Sequence, residues 1–259
     1  MSKKKELISL IEGNHKRIKE LVDENNKLLQ ELSAVDGDEA INKLGIASVD
    51  NIAINTSNTN QIEQNKLNVL IIGKIGVGKS STINALAGVN IAKVSDGMES
   101  ETTEVIEYNV MNDLILWDTP GVGDTPEKDE VYKAEIVDKL NELKSNGEPL
   151  IDMALVVLDA SSRDMCSDYD LIIGTLIPNI QYKDKIIIAM NQCDNALKGK
   201  GWNHQDSKPD VELDEFLKEK TESVKQRIID ASDLVIDPIY YSAETGYNVT
   251  LLRDALASK

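Results

Sequence analysis

The stretch Asn68–Ser81, NVLIIGKIGVGKSS, decides the fold. Asn68–Ile72 is a short unbroken apolar run, the form taken by a strand buried on both faces. It leads directly into G-x-x-x-x-G-K-S at Gly73–Ser80, and Ile83 and Leu86 follow at core-facing helical spacing. Strand, glycine-rich turn and helix in that order make a phosphate-binding loop. The glycines let successive backbone N–H groups turn inward as an anion nest, and the helix aims its positive end at the same place. Gly73, Lys74, Ile75, Gly76, Val77, Gly78, Lys79, Ser80 and Ser81 are therefore the candidate phosphate-side residues. Lys79 is expected to reach the β- and γ-phosphates, and the Ser80 hydroxyl to ligate Mg²⁺.

Three further elements each close an apolar run. Leu114–Trp117 ends at Asp118-Thr119-Pro120-Gly121. An Asp there can hold a water on Mg²⁺, and the Gly121 N–H can contact a γ-phosphate. Ile186–Met190 ends at Asn191-Gln192-Cys193-Asp194. The Asp194 carboxylate is suited to accept two hydrogen bonds, from guanine N1–H and N2–H₂, donors that adenine lacks. Asn191 is expected to tether the loop and the base. Val235–Tyr241 leads to Ser242–Ala243, expected to offer a backbone N–H to guanine O6. Each element is weak alone, since Asp-x-Pro-Gly is also ordinary turn chemistry. Their order, each at a strand end, makes them one guanine-nucleotide site, with GTP or GDP and Mg²⁺ as ligands.

This quartet resembles the translation-factor-related GTPases, and GKSSTINAL with DTPG resembles their Era-like branch. VVLDASSRDMCSDYDLI, MNQCD, the loop carrying Trp202, and YYSAETGYNVTLLRDAL resemble the bacterial YfjP-like GTPases more closely. The resemblance covers about residues 66–258 and leaves out the N-terminal segment. It implies a P-loop NTPase fold of the small-GTPase kind that binds GTP and hydrolyses it with Mg²⁺. Lys79, Thr103 and Gly121 would then act at the γ-phosphate, and Ser80, Thr103 and Asp118 at the metal. Thr102 is the alternative to Thr103 within Glu101-Thr102-Thr103. Gln192 stands where the family usually has a lysine covering the base, and Gly76 where potassium-activated relatives have asparagine. Val122 stands where Ras-like proteins carry a water-orienting glutamine. The arginines are Arg17, Arg163, Arg227 and Arg253, none between the phosphate loop and Glu130, so no arginine finger is assigned in cis. Slow intrinsic hydrolysis follows, with Lys74, Lys93 and Asp124 the next groups to test if turnover is fast.

Hydrophobic residues make up 41% of the 259, enough for a substantial core. The longest apolar stretches have strand length and predict no membrane span. Lys3–Lys5 ahead of Leu7–Ile11 has a signal-peptide flavour, but Glu12 ends the apolar part too early. Cys166 and Cys193 lack metal or redox spacing, and two packed, inert thiols suit a reducing cytoplasm. A net charge of −17 repels phosphate backbones and counts against a broad nucleic-acid footprint.

The element order predicts an α/β fold, a doubly wound and mostly parallel sheet. Glu104–Val110 alternates and forms a hairpin with the Leu114 run through Met111–Asp113. Ile151–Leu158 is another buried run, followed by a helix near Asp168–Ile177 that stops before Pro178. Asn195–Pro209 reads as a polar loop, with Trp202 lidding the core and His204 in solvent. A charged helix follows at about Val211–Ala231. Asn248 reads as the N-cap of a last helix with Leu251, Leu252 and Leu256 inward. Residues 1–35 are a different object: Ile11, Ile18, Asn25 and Leu32 share one heptad position, and Leu7, Asn14, Leu21 and Leu28 its partner. They form either a coiled coil that pairs chains or one amphipathic helix lying on the domain. Residues 36–65 read as a linker and 66–259 as the nucleotide-binding domain. A homodimer, through the helix or through the domain, is the assembly these features allow; no protein partner is named by them.

Overall fold

The computed structural model describes residues 66–94, 104–111, 113–163 and 165–258. The expectations for residues 1–35 and 36–65, and those for Thr102 and Thr103, lie outside the described residues. In chain order the first elements are β1 (Leu67–Ile72), α1 (Lys79–Ala87), β2 (Ile106–Met111), β3 (Leu114–Asp118), α2 (Pro126–Asn141), β4 (Met153–Asp159) and β5 (Ile186–Asn191). A small hairpin of β6 (Trp202–Asn203) and β7 (Lys208–Pro209) precedes α3 (Val211–Ser232), β8 (Ile239–Tyr240) and α4 (Val249–Ala257). The main sheet runs β2-β3-β1-β4-β5-β8. Every pairing in it is parallel except the β2–β3 hairpin at the edge.

Two-sided burial explains the unbroken apolar runs. Successive side chains on a strand face opposite sides. Leu70, Ile72, Val156, Leu158, Ile188 and Met190 accordingly join one core, with Ile136 of α2 and Leu213 and Leu217 of α3. Val69, Ile71, Leu155, Val157 and Ala189 join the other, with Ile83 and Leu86 of α1 and Leu252 and Leu256 of α4. The helix starts follow local chemistry. Thr125 caps α2 through its side chain, with Pro126 in the first turn, and the Asp210 carboxylate accepts from the Leu213 N–H at 2.9 Å to start α3. Among the described residues no helix is long and apolar enough to cross a membrane.

Several expectations need correction. The helix after β4 does not stop before Pro178: it runs as Cys166–Tyr169, a π-helical Asp170–Leu176, and a last turn at Ile177–Asn179. The Ile177 N–H reaches back to Ile172, and Pro178 opens the final turn, where a missing N–H costs nothing. The strand expected over Val235–Tyr241 contracts to β8, because Pro238 removes a ladder donor and Val235 is exposed. Asn248 does stand at the N-cap of α4, but without a side-chain capping bond; it adopts left-handed φ 55° and donates instead to the Tyr240 carbonyl at 2.9 Å. With α4 starting at Val249, the inward face is Val249, Leu252 and Leu256, while Leu251 is 52% exposed. Asn195–Pro209 is not plain loop, since it contains β6 and β7. Trp202 is buried there, edge-on to Tyr247 with ring centroids 5.6 Å apart, and His204 is exposed. Only Cys193 of the two thiols is packed; Cys166 is exposed.

Candidate nucleotide-binding site

Open α/β sheets bind ligands beyond the carboxyl ends of their strands, where connections diverge to either side. The carboxyl ends of β1, β3 and β5 carry the phosphate loop, Asp118 and Asn191 respectively. Gly78, last residue of the loop, has left-handed φ 90°, and a Cβ there would run into the Asn191 amide. Lys79 begins α1, is 8% exposed, and curls back to donate from Nζ to the carbonyls of Gly73 (3.1 Å) and Lys74 (3.2 Å). Burial lowers its pKa to about 8, and the Asp118 charge partly opposes that fall.

The metal side rests on one short link. Ser80 Oγ donates to Asp118 Oδ2 at 3.1 Å, and Asp118 is fully buried at the end of β3. A hydroxyl beside a carboxylate is the hard-oxygen pair that Mg²⁺ takes in company with waters and phosphate oxygens. The residues present therefore fit the ion. Thr119 Oγ1 bonds the Ile71 carbonyl at 2.8 Å and fastens the turn to β1. The turn is laid against the phosphate loop: Ile75 N–H donates to the Val122 carbonyl at 2.9 Å. A Cβ on Gly121 would come within 2.8 Å of the Ile75 backbone, so only glycine allows this approach. Val122 turns its side chain into the core and is 2% exposed.

On the base side, Asn191 is the hub. Its Nδ2 donates to the Val77 carbonyl (2.9 Å), and its Oδ1 accepts from the Ala243 N–H (2.9 Å). One buried amide therefore ties the phosphate loop to the Ser242–Ala243 turn. Asp194 lies three residues on, and its Oδ1 is buried with no hydrogen-bond partner. A buried, unpaired carboxylate oxygen is costly unless a ligand satisfies it. The N–H groups expected to face guanine O6 are engaged within the protein: Ser242 donates to the Tyr247 carbonyl at 3.0 Å, and Ala243 to Asn191. Ala243 can therefore serve a base only by sharing its Asn191 bond. Gln192 adopts φ 60° and donates to the Gly76 carbonyl at 2.7 Å, a tether between the two loops that the sequence did not announce. Thr82 and Tyr241 were missed as well. Their hydroxyls meet at 2.5 Å beneath the loop, and Thr82 also holds the Gly78 carbonyl at 2.7 Å. No local pattern marked the pair, since β8 is two half-buried residues without alternation. Lys74 leaves the site to pair with Asp168 at 3.5 Å.

Residues 68–192 match the family described as 50S ribosome-binding GTPase. YkfA of Escherichia coli (strain K12) is 31% identical over 143 residues, which make up 53% of this chain and 45% of YkfA. YfjP of the same strain is 28% identical over 150 residues, 56% of this chain and 47% of YfjP. The chain thus spans about half the length of these curated relatives. The fold is shared with Era, solved in complex with MgGDPNP and nucleotides 1506–1542 of 16S ribosomal RNA, at a TM-score of 0.53 and 18% identity. That likeness covers 75% of this chain and 56% of the Era chain. Matched motifs, strand order and relatives agree: residues 68–192 are similar to P-loop GTPase domains, the YfjP-like proteins among them, on the fold shared with Era.

Proposed function

We propose that this domain binds GTP with Mg²⁺, hydrolyses it slowly to GDP and phosphate, and serves as a nucleotide-dependent switch. The observation that carries the reading is the Asn191 amide, which joins the phosphate loop to the Ser242–Ala243 turn while Asp194 Oδ1 stays buried and unpaired three residues away. Asp194 would read guanine N1–H and N2–H₂. The Gly73–Gly78 amides would cradle the phosphates, and Lys79 would exchange its two carbonyl partners for phosphate oxygens. Ser80 and Asp118, with Thr103 from outside the described residues, would hold Mg²⁺, which would neutralise charge on the phosphates. In hydrolysis water attacks the γ-phosphorus, the bond to the bridging oxygen breaks, and the proton leaves with the released phosphate. Water placement is the weak step, since Val122 is turned into the core. Two of the described arginines are engaged elsewhere: Arg253 donates to the Leu86 carbonyl, and Arg227 lies over Tyr169. We assign residues 66–259 to the nucleotide domain and residues 1–35 to an appended helix, in a cytoplasmic protein.

Purified protein should bind GTP but not ATP, and release phosphate in single turnover at about 10⁻⁴–10⁻² s⁻¹, the range of unassisted relatives of this mechanism. Lys79→Ala should abolish binding or turnover. Equal affinity for ATP and GTP would overturn the reading. Turnover per molecule that climbs with protein concentration would instead make self-assembly the output.

A further inference from the structure

A second cleft, of about 710 Å³, lies between the loop after β4, the turn at Leu197–Lys198 and the outer face of α3. None of its lining residues belongs to the nucleotide site. Among the described residues four cations line it, Arg163, Lys198, Lys220 and Arg227, against one carboxylate, Glu219. In a chain of net charge −17 this is a local reversal of sign, and it gathers two of the four arginines. The single phenylalanine, Phe216, also lines it, as does Tyr169.

The cleft is built rather than incidental. Lys220 reaches inward and donates to the carbonyls of Ala160 (2.6 Å) and Ser162 (2.5 Å), which pins the β4 loop to α3 and keeps a positive charge at the wall. The Arg227 guanidinium sits 5.2 Å from the centre of the Tyr169 ring. Leu197 and Lys198 are both held at left-handed φ, 53° and 61°, where they form the rim. Backbone in that region persists only where its surroundings over-determine it. Among the described residues no ion pair engages Arg163, Lys198 or Arg227.

We propose that this cleft is a second ligand site, for a small phosphorylated molecule that carries a planar ring. Its volume falls in the range of about 300–1,000 Å³ typical of small-ligand sites. Guanidinium forks match phosphate oxygens in pairs, and two of them line this cleft. Phe216 supplies an aromatic face for a ring, Arg227 over Tyr169 a cationic one, and Glu219 one acceptor for a ring amine or sugar hydroxyl. An extended polyanion is a poor fit, because a net charge of −17 over the chain repels a long phosphate backbone.

With only four arginines, the side-chain Nε–H spectrum of ¹⁵N-arginine-labelled full-length protein contains its own controls. With the guanine site saturated by GDP and Mg²⁺, titration with AMP should shift the Arg163 and Arg227 signals saturably and leave Arg17 and Arg253 in place. Adenosine should not shift them. The double variant Arg163→Gln, Arg227→Gln should weaken AMP binding by about tenfold or more, as loss of charge-assisted hydrogen bonds does, and leave GDP affinity unchanged. No saturable shift, all four signals moving together as ionic screening would produce, adenosine matching AMP, or a response only to a single-stranded oligonucleotide would each overturn the proposal.

Discussion

Replacing Asp194 by asparagine keeps the side chain's size and turns one of its two acceptor edges into a donor. Because Asp194 Oδ1 has no partner within the protein, the substitution breaks no internal hydrogen bond there, and its effect falls on the ligand. A hydrogen bond to a charged group contributes roughly 1.5–3 kcal/mol. Two such bonds to guanine amount to about 3–6 kcal/mol, or about 10²–10⁴ in affinity. The carbonyl that remains on the substituted side chain can still serve one donor, so the expected loss for GDP lies towards the lower bound, about a hundredfold. Xanthosine diphosphate, with a carbonyl where guanine has its amino group, should gain over the same substitution. Equilibrium titration of wild type and Asp194→Asn with fluorescent GDP and its xanthine analogue reads both changes, and the thermal midpoint without nucleotide should hardly move. A loss for GDP of less than about fivefold, or wild-type protein that binds ADP as tightly as GDP, would refute the reasoning.

Gly121→Ala places a Cβ against the Ile75 backbone at 2.8 Å, so we expect GTP affinity to fall about tenfold, or about 1.4 kcal/mol; unchanged affinity in a titration would show that the turn swings clear. Tyr241→Phe removes the buried hydroxyl that meets Thr82 and should cost about 1 kcal/mol of unfolding free energy, checked by denaturant titration. Burial pushes the Cys193 thiol up to about 12, so at pH 9 it stays protonated; iodoacetamide followed by mass spectrometry should find Cys166 alkylated and Cys193 untouched. Deleting residues 1–35 should leave nucleotide affinity unchanged and convert any dimer to monomer in sedimentation, whereas a monomeric full-length protein would remove the coiled-coil reading of the heptads.

What the sequence displayed best was chemistry carried by contiguous residues. The phosphate loop, the Asp118 turn and the Asn191–Asp194 turn each need a particular residue at a fixed backbone position beside a buried strand, and both requirements leave a local trace. Relations between distant segments left none. Gln192 reads in the sequence as a lost base cover, yet its amide reaches Gly76, a contact across 116 positions. The Ala243 N–H reads as free for the base, but Asn191, 52 positions earlier, takes it. Helix faces slipped for a simpler reason. Leu251 and Leu252 are adjacent and so stand about 100° apart around α4, and the buried face centred on Leu252 takes Val249 and Leu256 and leaves Leu251 in solvent. Pro178 misled because the usual penalty assumes an α-helix continuing around it, and here a fresh turn begins.

The wide turn at Asp170–Leu176 has a consequence of its own. Just upstream of it Asp168 holds Lys74 and Tyr169 lies under Arg227, and at its first residue Asp170 takes Lys133 of α2 at 2.6 Å. Downstream, Leu176 and Ile177 are anchored in the core. A π turn holds about one residue more than an α turn, so losing one residue would rewind the coil to α with its ends still in phase, and losing a second would rotate one end against the other by roughly 100°. The anchored end would stay, and the grips on the phosphate loop and on α3 would let go. The stretch therefore acts as a gear tooth with one residue of slack: a change of length beyond that slack would be felt at the grip on the phosphate loop.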